Sequence, residues 1–92
     1  MILRVLGDGQ YEVTEQSVEE MNELDDRVVA AIEAGDGSAF ERALRELLGR
    51  VRSGARRLPD DHLGPSDLVL PGPDATLEEV RSMLGAEGLI PG

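Results

Sequence analysis

A chain of 92 residues is enough for one domain and too short for two, and at that length only about two thirds of the unfolded surface can be buried. Hydrophobic residues make up 40% of the chain and aromatics 2%, so the core must be aliphatic, and no aromatic stacking surface for bases or sugars is expected. A net charge of −10 repels nucleic-acid phosphates and disfavours anionic lipid, while admitting a basic protein partner.

The absence of cysteine excludes disulfides, thiolate metal sites and cysteine nucleophiles together. No run approaches the roughly 18 apolar residues of a membrane span. The opening MILRVLGDG lacks the basic start and long apolar middle of a signal peptide, so a cytoplasmic protein is expected. Every basic residue is Arg, and the charges are unevenly placed. Residues 1–34 carry nine acids against Arg4 and Arg27, and residues 59–92 carry seven acids against Arg81. Between them, residues 35–58 carry three acids and six Arg, so acidic ends flank a basic middle.

In chain order, MILRVL and QYEVT read as two strands joined through Gly7-Asp8-Gly9, residues that tolerate the positive φ of a tight hairpin turn. No GxGxxG or GxxxxGK[ST] pattern follows, which argues against a phosphate loop. A helix begins near Ser17, where Ser17-Val18-Glu19-Glu20 fits a capping box. Thr14 is a rival cap, with Val13 and Val18 spaced as a hydrophobic staple. Val18, Met21, Leu24, Val28, Ala31 and Ile32 form its apolar face, and Glu19, Glu23, Asp26 and Glu33 lie opposite. Asp25 falls on the apolar side by helix angle. It is expected at an edge, paired with an Arg of the next helix, or aimed at a partner's cation. Gly35 is a natural stop.

The second helix repeats the logic. Ser38-Ala39-Phe40-Glu41 reads as a capping box, Phe40, Leu44, Leu47 and Val51 line one face, and Arg42, Arg45, Arg52 and Arg56 make a stripe opposite. The stripe either solubilises the helix and balances acids such as Glu46, or docks an acidic helix. The short link at residues 34–37 suits an antiparallel helical hairpin. RRLPDDHLGPSD then reads as a loop or an extended crossing. Leu68-Val69-Leu70 reads as a short buried strand that joins the hairpin, since Pro71 biases Leu70 towards extended backbone. Gly72-Pro73 turns the chain, and Thr76-Leu77-Glu78-Glu79 is a third capping box, opening a helix with Leu77, Val80 and Leu84 on one side. Gly85 and Gly88 end that helix. Leu89 and Ile90 must be buried either in this chain or by a partner. The expected architecture is one α+β domain over residues 1–92, with an N-terminal β-hairpin, an antiparallel helical hairpin, a short strand and a third helix.

Catalytic chemistry is poorly supplied. Asp60-Asp61-His62 is the best local cluster for a metal, but adjacent ligands rarely share one ion without distant help, and a solvated loop explains them as well. Ser17 and Ser38 are explained as caps, and nothing marks Ser53, Ser66 or Ser82 as a nucleophile. The helix glutamates lack the apolar wall that raises a catalytic carboxyl's pKa. No catalytic residue, cofactor or metal is expected, and the chain is read as not an enzyme.

The N-terminal MILRVLGDGQYEV, the stretch Asn22-Glu23-Leu24-Asp25-Asp26 and the ending SDLVLPGPDATLEEVRSMLGAEGLIPG resemble the PspA-associated protein (PspAA) family of actinobacterial type. The resemblance spans nearly the whole chain and is least distinctive from Arg42 to Leu63. It implies a small, non-enzymatic trihelical companion of PspA, the coiled-coil protein of the phage-shock, or cell-envelope stress, response. It further implies a module that binds or tunes PspA and meets the membrane's inner face only indirectly, through a PspA that itself uses a basic amphipathic segment on anionic lipid. The candidate contacts are the acids Glu19, Glu23, Asp25 and Asp26, the arginines Arg42, Arg45, Arg52 and Arg56, and, for an apolar contact, Leu89 and Ile90. Two other readings stay open: a small metal- or ligand-binding regulatory domain using Asp60-Asp61-His62, and a self-associating homodimer.

Overall fold

The computed structural model describes residues 1–59, 64–84 and 88–90. Strands β1 (Ile2–Val5) and β2 (Gly9–Glu12) form the expected antiparallel hairpin, with Leu3 opposite Tyr11 and Val5 opposite Gly9. The two-residue period of a strand sends Leu3, Val5 and Tyr11 inward, where all three are buried, and leaves Arg4 and Glu12 exposed on the other face. The Val5 carbonyl accepts from the Asp8 N–H at 3.0 Å, closing a turn whose third residue, Gly7, has φ 80°. Only glycine adopts that value without steric cost.

Helix α1 (Glu15–Ala34) starts earlier than the Ser17 box suggests. Thr14, with extended backbone, is the N-cap, and its hydroxyl oxygen accepts from the Ser17 N–H at 3.1 Å. Ser17 instead lies inside the helix, buried, and its hydroxyl donates to the Gly54 carbonyl at 3.2 Å. That bond ties the start of α1 to the end of α2 (Gly37–Gly54), which fixes the pair as antiparallel. Between them Gly35 takes a left-handed φ of 67°. Its N–H reaches the Ile32 carbonyl, and the Asp36 N–H reaches that of Ala31, the bond pair of a Schellman ending. Asp36 then caps α2, accepting from the Ala39 N–H at 3.1 Å. The expected Ser38 cap is thereby corrected: the chain reverses at Gly35, so the first side-chain acceptor in place is Asp36, and Ser38 already lies in the first helical turn.

The apolar faces are as expected. Met21, Val28, Ala31 and Ile32 of α1 and Phe40, Leu44, Leu47 and Val51 of α2 are buried, joined by Ala43 and Leu48. They form one cluster with the inner side of the sheet. Burying each large aliphatic side chain stabilises the fold by about 1.5–3 kcal/mol before the cost of ordering it.

Beyond α2 the structure adds an element. Arg56–Arg57 form a two-residue strand, β3, antiparallel to β2, with Tyr11 opposite Arg57. Arg56 therefore stands on a strand and not on the helical stripe, which corrects its placement. Two exposed arginines show no periodicity of their own, so this pairing is imposed by the neighbouring strand. Strand β4 (Leu68–Leu70) runs parallel to β1, with Leu3 opposite Leu68 and Val5 opposite Leu70. The sheet order is β3-β2-β1-β4, so β1 and β2 are the two inner strands. Helix α3 (Leu77–Met83) carries the complete capping box on Thr76 and Glu79 and buries Val80. Leu89 and Ile90 are also buried in this core, at 6% and 1% exposure, so the apolar tail packs in cis.

Candidate interaction surface

The outer side of α1 follows from its inner one. With Met21, Val28 and Ile32 turned to the core, Glu19, Glu23 and Asp26, spaced by four and three residues, share the exposed side. Among the described residues none of the three is in an ion pair. Their neighbours along the helix seam are paired. Arg27 meets Glu46 at 3.3 Å, and Glu20 meets Arg50. Like charges four apart, as Glu19 and Glu23 are, destabilise a helix by about 0.2–0.5 kcal/mol. The ridge is thus an uncompensated negative surface that the fold itself does not use.

The arginine stripe divides. Arg42 and Arg45 are exposed on α2 and, among the described residues, in no ion pair. Arg52 and Arg56, though exposed, reach the hairpin's charges, with Arg52 Nε 3.5 Å from Asp8 and an Arg56 amino group 3.7 Å from Glu12. Asp8, in the β1–β2 turn, was not legible as a site from sequence. It accepts from the Tyr11 hydroxyl at 2.8 Å and from Arg57 at 3.0 Å, and Arg57 also lies 6.0 Å from the Tyr11 ring centre. The Tyr11 hydroxyl, followed by the two guanidiniums, holds the Asp8 carboxyl below the usual carboxylate value, although burial pulls the other way. Burial first, and Asp8 second, push the Tyr11 hydroxyl up.

Asp25 is neither at an edge nor paired with arginine. Its side chain is buried at 1% exposure, and its carboxylate accepts from the Leu89 N–H at 3.2 Å and the Ile90 N–H at 2.9 Å. Burial raises its pKa and the two N–H donors lower it, with Asp26 adding to the rise; the balance lies above the ordinary value. Asp25, Leu89 and Ile90 are therefore brought together as an internal clasp, away from the outer ridge of α1. Helix angle alone marked Asp25 as anomalous. Its partners are backbone groups 64 and 65 residues away, which carry no side-chain signature.

Among the described residues no group of three or more His, Asp or Glu is placed to hold a metal, and Asp60-Asp61-His62 lies outside them. No helix among the described residues is long and apolar enough to cross a membrane. No curated protein and no solved structure matches the chain. The family model of PspAA, PspA-Associated protein, matches residues 1–92, the whole chain; the chain belongs to the PspAA family.

Proposed function

We propose that this chain is a non-enzymatic interaction module that binds PspA and modulates it during cell-envelope stress. The observation that carries the reading is the family match over the full chain. The exposed, unpaired acids Glu19, Glu23 and Asp26 supply a physical means, since a negative ridge on a chain of charge −10 fits a basic stretch of a partner helix. Arg42 and Arg45 offer a second, oppositely charged contact on the neighbouring helix. Complementary charge of this kind sets partner choice and association rate more than it sets affinity, and salt screens it. Any approach to the membrane's inner face is made through PspA.

The test is binding of the full chain to purified PspA at low and high salt, beside the charge-reversed variant Glu19→Lys/Glu23→Lys/Asp26→Lys. The expected result is salt-sensitive binding that the variant weakens about tenfold or more, in line with about 0.2–1 kcal/mol per exposed pair before the added repulsion. Binding untouched by both salt and reversal moves the contact off the ridge. No binding of the unaltered chain at low salt overturns the reading itself.

A further inference from the structure

Four large apolar side chains stay exposed among the described residues: Met1 at 43%, Leu6 at 46%, Val69 at 41% and Met83 at 37%. Two of them, Leu6 and Met83, line one groove of about 500 Å³, bounded by the β1–β2 turn, residues 71–75 and α3. Its charged lining is unbalanced. Arg52 is engaged with Asp8, at 3.5 Å. Asp74 and Glu79 are exposed and, among the described residues, in no ion pair, Glu79 only receiving the Thr76 N–H and hydroxyl of its own helix cap. The free charge of the groove is negative.

The walls are preformed. The Leu6 N–H donates to the Leu70 carbonyl at 3.0 Å, and the Ala75 N–H to that of Gly72 at 3.2 Å. Gly72 passes so close that an added Cβ would lie 2.6 Å from the Leu6 carbonyl oxygen. A groove held by backbone contacts needs little ordering when it is filled, which favours affinity. An apolar lining with two unpaired carboxylates selects a particular chemistry: aliphatic side chains bordered by cations, as at the edge of the apolar face of a basic amphipathic helix.

We infer that this groove docks an amphipathic partner helix, which seats an aliphatic side chain against Leu6 and Met83 and sets Lys or Arg beside Asp74 and Glu79. The identity of the partner as PspA rests on the function proposed above; the chemistry of the groove does not. It is also separate from the ridge on α1, which offers charge without apolar surface.

The experiment is a titration of the isotope-labelled full chain, followed by backbone amide NMR, with a synthetic Leu/Lys amphipathic helix and a Leu/Glu helix as control. Purified PspA binding is measured in parallel. Shifts at Leu6, Gly72, Ala75 and Met83 with the Leu/Lys helix alone are expected, together with at least tenfold weaker binding of Leu6→Ser/Met83→Ser to both the helix and PspA. These positions are exposed, and an intact melting transition checks the fold. The loop variant Asp74→Lys provides a second reading that leaves the apolar lining untouched, and it too is expected to weaken binding. Shifts confined to α1, or none, overturn the groove. PspA binding that neither variant weakens also overturns it while leaving the interaction module in place. Seating of the Leu/Lys helix in the groove by a chain that does not bind PspA upholds the groove and overturns the choice of partner.

Discussion

Asp8 and Asp25 are two carboxylates held back from water at opposite stages of the fold, one in the first turn and one in the middle of α1. Asp8, with its side chain 18% exposed, meets the Tyr11 hydroxyl and, second to it, two guanidiniums, and its pKa falls. Asp25, more deeply buried, meets two backbone N–H groups and no cation among the described residues, and its pKa rises. Satisfying a carboxylate's hydrogen bonds and neutralising its charge are separate tasks. The hairpin turn accomplishes both, whereas the clasp on the tail accomplishes the first at the expense of a poorly compensated buried charge.

The sharpest way to break this comparison is Asp25→Ala. It leaves two buried N–H groups without an acceptor, so a loss of about 2–5 kcal/mol in urea unfolding is expected. Asp25→Asn retains the shape but presents one acceptor oxygen to two donors, and should cost less than the alanine. A cost below about 1 kcal/mol for Asp25→Ala would mean that the tail does not depend on the carboxylate. The same clasp can be attacked from its other side. Gly88 has φ 88°, and an added Cβ would lie 2.7 Å from Asp25 Oδ2. Gly88→Ala should cost about 2–4 kcal/mol, and its combination with Asp25→Ala less than the sum, because both release one segment.

Acidity should separate the two aspartates by sign. The folded-state pKa of Asp25 is raised, so its stabilising contribution is complete below the unfolded value of about 3.9 and is lost as pH rises through the folded value. That of Asp8 is lowered, so its contribution is present above about 3.9 and is lost as pH falls through the folded value. Between pH 3 and 7, unfolding curves should therefore show the natural chain losing ground to Asp25→Asn and gaining on Asp8→Asn. Parallel profiles would remove the distinction. The smallest effect belongs to Arg52→Ala. This side chain is 55% exposed and its pair with Asp8 is long, so a change within about 0.5 kcal/mol is expected by thermal melting.

Legibility in the sequence followed the range of the interactions. The Thr76 box, the Gly35 stop and the apolar faces of both long helices depend on residues three or four apart, and the pattern of types exposes them. Leu68-Val69-Leu70 was readable as a strand because Pro71 biases Leu70 towards extended backbone, but of the three only Leu70 is fully buried and Val69 stays exposed, so the expected buried strand holds on one face alone. Choosing Thr14 over Ser17, and Asp36 over Ser38, depended on where the preceding element released the chain, a matter of tertiary placement. Arg56–Arg57 could not be seen as a strand, since its pairing is dictated by β2. The ridge of Glu19, Glu23 and Asp26 was readable as an exposed face. The groove at Leu6 and Met83 was not, because it joins residues from three separated segments.

The parallel pairing of β1 with β4 has a consequence for how the chain is made. Synthesis releases the hairpin and both long helices first, yet β1 keeps one side open until Leu68–Leu70 has emerged, and Asp25 waits 65 residues for its last donor. Contacts so distant in sequence form late and slowly. A nascent chain thus carries an unpaired strand edge until Leu68–Leu70 arrives and an unclasped carboxylate until Leu89 and Ile90 follow.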